Sequence, residues 1–261
     1  MPYIQRNEIV TPPDETVIWR YFRLEYFKQA IESNTLYFSP IYKFVDPWKA
    51  AIPKAGLEWR RKQLINAEKK GKDALDKAIE NVLKMEGIRQ QSTRTVKANC
   101  WHMGSHESEA MWKLFVGTGD GVAIKSTVGH IKEALSEAEE DIFIGQINYI
   151  NYNDAIFNDV QWYRYCFHKR EAFSHEKEMR LALFDINEYR SSNPNAAGRF
   201  ISIDLKHPIL EIKVSANRKD LIREVISATK KTAIGVSLAL TELSMPPINA
   251  LSLFKFIKNS I

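Results

Sequence analysis

The sequence predicts an α+β protein: a mixed, mainly antiparallel (split) sheet with flanking helices and a long inserted basic helix or helical hairpin. Three observations carry that expectation. Strand-like and helix-like segments are interspersed without the regular βαβ alternation of a doubly wound fold. The second half is rich in short β-branched and aromatic runs. Between them, Leu57 to about Gln91 shows Leu64, Leu75, Ile79, Val82 and Leu83 near helical spacing, with Gly71 as a break.

Taken in order, Val17 to Phe22 (VIWRYF) reads as a strand that carries Arg20 among bulky neighbours. Leu24 to Ser33 spaces Leu24, Phe27, Ala30 and Ile31 as a helix, Asn34 stops it, and Leu36 to Phe38 is the next strand. After the basic helical segment come a strand at Val96 to His102, a helix from about Glu107 to Val116, and a glycine turn at Gly117 to Gly121. A strand at Val122 to Ser126 and a helix at Val128 to Glu140 follow. Strands are then expected at Ile142 to Tyr152, Trp162 to Phe167, His175 to Phe184, Phe200 to Leu205 and Ile209 to Val214, and an amphipathic helix at Lys219 to about Lys230. Residues 1–261 read as a single domain with the helical insertion at about 57–91, because no Gly/Ser- or Pro-rich linker divides them.

Composition narrows the class. With 44% hydrophobic and 26% charged residues the chain has the balance of a globular protein and not of a disordered one. It shows neither a leader peptide pattern nor an apolar run of membrane-spanning length, so the expected location is cytoplasmic. Two cysteines, Cys100 and Cys166, are too few for a disulfide framework. The net charge of +5 is concentrated: from Lys54 to Lys97 twelve Lys/Arg stand against six Asp/Glu, so the remainder is about neutral. Such an element attracts phosphate-rich partners by charge, whereas its bland reading is a solvated helix face.

Within the expected strand His175 to Phe184, alternation sets Glu176, Glu178 and Arg180 on one face and Lys177, Met179, Leu181 and Leu183 on the other. Two carboxylates so close repel each other and require cations, a shared proton or a ligand. Arg180, Lys169 and Arg170 are the candidate cations. The glycine turn lacks the Lys-Ser/Thr ending of a phosphate loop, and Cys100, His102 and His106 lack a second pair at ligand spacing, so no metal is expected. Three pieces remain: Trp19-Arg20-Tyr21, Ser126-Thr127 and Glu176-Lys177-Glu178. An arginine suits a dinucleotide's phosphates, small hydroxyls brace a ribose, and a glutamate stabilises an electron-poor sugar carbon. The ordinary alternatives are a snorkelling Arg20, a helix cap at Thr127 and a charged strand face.

The strings WRYFRLEYFKQAIESNTLYFSPIYKFVDPW, NCWHMGSHESEAMWKLF, GVAIKST and KREAFSHEKEMRL, spanning about Val17 to Phe184, resemble the prokaryotic domain-of-unknown-function family 2971. More distantly the chain resembles ADP-ribosyltransferases of the Arg, Ser-Thr, Glu-x-Glu type, although Val128 stands where that pattern usually has a third small hydroxyl residue. This second resemblance implies NAD as co-substrate. Arg20 and Tyr21 with Ser126 and Thr127 would form the cofactor-binding set, Glu178 would stabilise the oxocarbenium-like transition state, and Glu176 would activate or orient the acceptor. It implies a macromolecular acceptor, with nucleic acid reachable through the basic 54–97 segment, and a role in prokaryotic defence against phage or in genetic conflict. Against this stand two other readings: a non-catalytic nucleic-acid or protein binding module, and a glutamate-dependent hydrolase.

Overall fold

The structure, a computed structural model, describes residues 3–44, 46, 51–157, 161–191, 197–205, 208–215, 220–231, 235 and 237–244. Its first unit is a strand, β1 (Val17–Arg23), a helix, α1 (Leu24–Ser33), and a second strand, β2 (Thr35–Pro40). Asn34 closes α1 in the left-handed conformation, φ 50°, which Asn tolerates better than other non-glycine residues. The basic segment is a hairpin of α2 (Lys54–Glu68) and α3 (Lys72–Thr95), turned at Gly71, whose φ of 113° suits a residue without a Cβ. Most of its side chains are exposed, Leu83 and Leu57 included.

The chain continues through β3 (Val96–Met103), α4 (Glu109–Phe115), β4 (Gly121–Thr127), α5 (Val128–Ala134), β5 (Phe143–Gln146), β6 (Asn148–Ile150), α6 (Trp162–Cys166), β7 (His168–Arg170) and β8 (Glu178–Phe184). Then come α7 (Ile186–Arg190), β9 (Arg199–Ser202), β10 (Glu211–Val214), α8 (Leu221–Lys231) and β11 (Ser237–Leu240). The fold is α+β with a mainly antiparallel sheet: among the described strands of the large sheet only the β10–β11 pair is parallel.

β3 is the strand on which the sheet divides. One edge pairs along Val96 to His102 with β8, which carries β5 on its far side. The other edge is shared: β1 meets only His102 and Met103, and β2 meets only Lys97 and Ala98. The wing β1–β4–β10–β11 and the wing β2–β9 therefore part beside residues 99–101 of β3. Side chains fill the fork. Asn99 donates to the Tyr37 carbonyl at 2.9 Å, and the Arg20 guanidinium donates to the Cys100 carbonyl. Strand groups that the divergence would leave unpaired thus find partners.

One face of the sheet packs on α1, α5 and α8 through Phe27, Ile31, Val128, Ile131, Leu221 and Val225 against Ile18, Ile124, Leu181 and Ile212. Each such side chain contributes about 1.5–3 kcal/mol on burial. Trp19, Tyr21 and Ala123 on the opposite face meet Met111 and Trp112 of α4, while Val96, Ala98 and Ala182 meet Tyr163, Tyr165 and Cys166 of α6. No helix among the described residues is long and apolar enough to cross a membrane.

Several expected elements differ. The aromatic run Trp162 to Phe167 is helical, because a helix of barely more than one turn wedged under the sheet buries Tyr163, Tyr165 and Cys166 together, which mimics a fully buried strand in sequence. The strand expected over Ile142 to Tyr152 is interrupted at Ile147, whose amide leaves the run to donate to the Glu178 carbonyl. The helix expected from Val128 to Glu140 stops at Ala134, and that expected from Lys219 starts at Leu221, Lys219 itself lying outside the described residues. The strand expected from His175 starts only at Glu178, a difference that bears on the candidate site.

Candidate functional site

Residues Glu171–Glu176 form a 3-10 helix, and Lys177 is left-handed at φ 41°. Glu176 is therefore not on the strand, and alternation does not relate it to Glu178. The Phe173 ring packs beneath Lys169 and Arg170, at 4.7 and 5.0 Å to the ring centroid, where the segment curls back on β7. The two carboxylates meet nonetheless, through a cation. Lys169 Nζ lies 2.6 Å from Glu176 Oε2 and 3.2 Å from Glu178 Oε2. Arg180 grips Glu178 from its own strand, Nε to Oε1 at 2.7 Å and Nη2 to Oε2 at 3.2 Å, and its Nη1 donates to the Cys166 carbonyl. Arg170, the third candidate cation, pairs instead with Asp46 at 2.9 Å.

The electrostatics follow from this geometry. Burial pushes the Glu178 carboxyl up, but the Arg180 charge and hydrogen bonds, with Lys169 and a hydrogen bond from the Cys100 thiol, outweigh it and hold the group at about 2. Burial drives the Cys100 thiol well above its ordinary range, and the Glu178 charge adds to that effect, so the thiolate is suppressed. The Arg180 guanidinium stays charged because the Glu178 anion overcomes the cost of burial.

Glu178 and Arg20 line one cavity of about 50 Å³ at the fork. Its walls include Trp19, Tyr21, Trp101 and Phe115, and Cys100, His102 and Glu176 also reach it. The register sets Trp19, His102 and Glu178 in a row across β1, β3 and β8, with Cys100 and Arg180 on the same face. Arg20 starts from the other face, beside Phe22 at 5.0 Å, and reaches the cavity because β1 and β3 have separated there. Its Nε is enclosed without a partner, and burial lowers its pKa to about 10. The Tyr21 hydroxyl accepts from the Ser108 amide at 2.7 Å and the ring packs edge-on to Trp112 at 5.3 Å. Burial raises its phenol to about 12.

Ser126 and Thr127 do not line this cavity. Ser126 is fully buried opposite Ile18, on the face away from Glu178, and its hydroxyl donates to the Thr127 carbonyl at 3.3 Å. The Thr127 hydroxyl caps α5 by accepting from the His130 amide at 3.3 Å. Cys100, His102 and His106 join no cluster able to hold a metal among the described residues.

Three contributors to the site were not legible in sequence: Trp101 and Phe115 in the cavity walls, and Tyr149, whose hydroxyl accepts from the Glu178 amide at 2.8 Å. Lys169, which bridges the carboxylates, was legible as one of the candidate cations near two acids. No family model matches the chain, the one for family 2971 included, and no curated protein matches it. Among solved structures the chain is similar to Thermus sp. 2.9 DarT in complex with ADP-ribosylated ssDNA, at 10% identity over 90% of this chain and 98% of that one, with a TM-score of 0.34. A similarity that shallow carries no argument about the chemistry of the cavity.

Proposed function

We propose that the cavity at the fork is the reacting end of an NAD site, and that the protein transfers ADP-ribose to a macromolecular acceptor. The observation that carries this reading is Glu178: a carboxylate held at about 2, in an aromatic-walled cavity shared with Arg20. A permanently ionised carboxylate suits a charge-stabilising role opposite an oxocarbenium-like carbon. It does not suit a glycosidase-type general acid, which requires a raised pKa, so the hydrolase reading loses ground. Arg20, with its unpartnered Nε, is the group for the dinucleotide's phosphates, and Tyr21 supplies a wall. Ser126 and Thr127 drop out of this proposal. At about 50 Å³ the cavity holds one or two waters, so NAD entry displaces Phe115, which is 44% exposed at the end of α4. The basic hairpin is the candidate docking surface for a nucleic-acid acceptor.

A second reading is favoured by one specific observation. Arg180 and Lys169 already satisfy Glu178, as in a structural ion-pair network, and the chain would then be a binding module. NAD affinity and nicotinamide release, measured for wild type, Glu178→Gln and Arg20→Ala with RNA, DNA and protein acceptors, separate the two. The transferase reading expects Glu178→Gln to keep NAD binding and lose on the order of 10²-fold in turnover, and Arg20→Ala to weaken binding. Wild-type protein that neither binds NAD nor releases nicotinamide moves the assignment to the binding module.

A further inference from the structure

We infer that His102, and not Glu176, is the general base that takes the proton from the acceptor nucleophile; this rests on the transferase reading. The His102 Nδ1 lies 2.7 Å from the Glu176 carbonyl oxygen. A carbonyl can only accept, so Nδ1 carries the hydrogen and, in the neutral ring, the lone pair is on Nε2. No hydrogen bond to Nε2 is present among the described residues. Gly104 keeps that nitrogen uncovered, since a Cβ there would stand 3.1 Å from it. His102 lines the cavity and is the direct partner of Glu178 across the β3–β8 pair, a spacing of about 5 Å between Cβ atoms. Glu176 is ill placed for proton transfer because its carboxylate is held by Lys169 at 2.6 Å.

The charged groups around the imidazole are Glu176 and Lys177 on the turn before β8, with Glu178 on β8 and Arg20 on β1 lining the same cavity. α4 adds only the uncharged Met111 and Phe115. Burial lowers the imidazole's pKa, the Glu176 carbonyl bond opposes this, and Lys177 lowers it further, leaving a net downward shift. The ring is therefore neutral at pH 7 and free to act as a base. In the step, a lone pair on the acceptor's oxygen or nitrogen bonds to the anomeric carbon of the nicotinamide ribose. The glycosidic C–N bond breaks, its electron pair neutralises the pyridinium, and nicotinamide leaves uncharged. The acceptor's proton passes to His102 Nε2, and the imidazolium then releases it to water.

The experiment has two arms. In wild-type protein, ¹⁵N NMR of the imidazole is expected to show the Nδ1–H tautomer titrating below the ordinary histidine range, and the Nε2–H tautomer overturns the proposal irrespective of activity. In the second arm, NAD affinity, nicotinamide release and ADP-ribose transfer are followed against pH for wild type and His102→Gln. Wild-type transfer is expected to rise through the imidazole's titration and level off. His102→Gln is expected to bind NAD as before, lose that limb and transfer about 10²-fold more slowly. Release and transfer by His102→Gln at wild-type rates overturn the role of His102 and leave the transferase reading standing. No release by wild type overturns both.

Discussion

Replacing Glu178 by Gln removes the anion on which Arg180 and Lys169 converge while keeping the side chain's shape, and the cost can be worked from the structure. The folded carboxyl sits at about 2 against an ordinary 4.5, and the side chain is only 6% exposed, so little solvent screening applies. By linkage the difference is worth about 3 kcal/mol at neutral pH. The folded pKa is depressed, so the unfolded chain binds more protons between the two values. The stabilisation is complete above the unfolded pKa, near 4.5, and is lost as pH falls through the folded one, near 2. The variant also leaves Arg180, 4% exposed, as a buried cation short of its partner, which removal of one member of a buried pair makes costly. For a chain of this size about 3 kcal/mol corresponds to a fall of roughly 6–12 °C in melting temperature. Melting curves from pH 8 down to pH 2.5 provide the assay. Wild type should lose stability steeply in the acid window, and Glu178→Gln should begin lower at neutral pH and lose less on acidification. A neutral-pH shift under about 2 °C, together with an unchanged acid slope, would refute the ion-pair account of this carboxylate.

Lys97, 1% exposed between Asp185 and Glu188, should cost about 3 kcal/mol when changed to Met, since Glu188 loses this buried cation while Asp185 keeps Arg199 at 3.4 Å; chemical denaturation reads it. Gly121→Ala would place a Cβ 2.4 Å from Val116 Cγ1 and 2.9 Å from the Phe22 carbonyl, and because one contact is backbone the strand must shift, for about 1–3 kcal/mol in the same assay. Replacing Arg61 to Lys84, the exposed end of the basic hairpin, with a short linker should leave a single cooperative transition, because the buried hairpin residues Gly56, Arg60, Ser92 and Thr95 lie outside the cut. A broadened or two-step melt would show that the hairpin is integral to the core.

The residues alone determined the α+β class, a long basic helical segment with a break at Gly71 and the apolar stripes of α1 and α8, because each is a local pattern: glycine's conformational freedom, or apolar side chains recurring at the helical period. They also marked Arg20, Glu176 and Glu178 as charges in unusual company. Strand alternation misled where packing overruled it, whether by neighbours three and four residues away or by the sheet itself. Glu176 reads as strand, yet it ends a 3-10 helix in which Phe173 stacks under Lys169 and Arg170, and Trp162 to Cys166 reads as strand but is a wedged helix. The cavity itself belongs wholly to the tertiary structure. It exists because β1 and β2 share one edge of β3 and diverge, pairings between segments 57–85 residues apart that no periodicity encodes. That divergence admits Arg20 to the cavity from the opposite face, whereas the continuous pairing of β1 with β4 keeps Ser126 out of it.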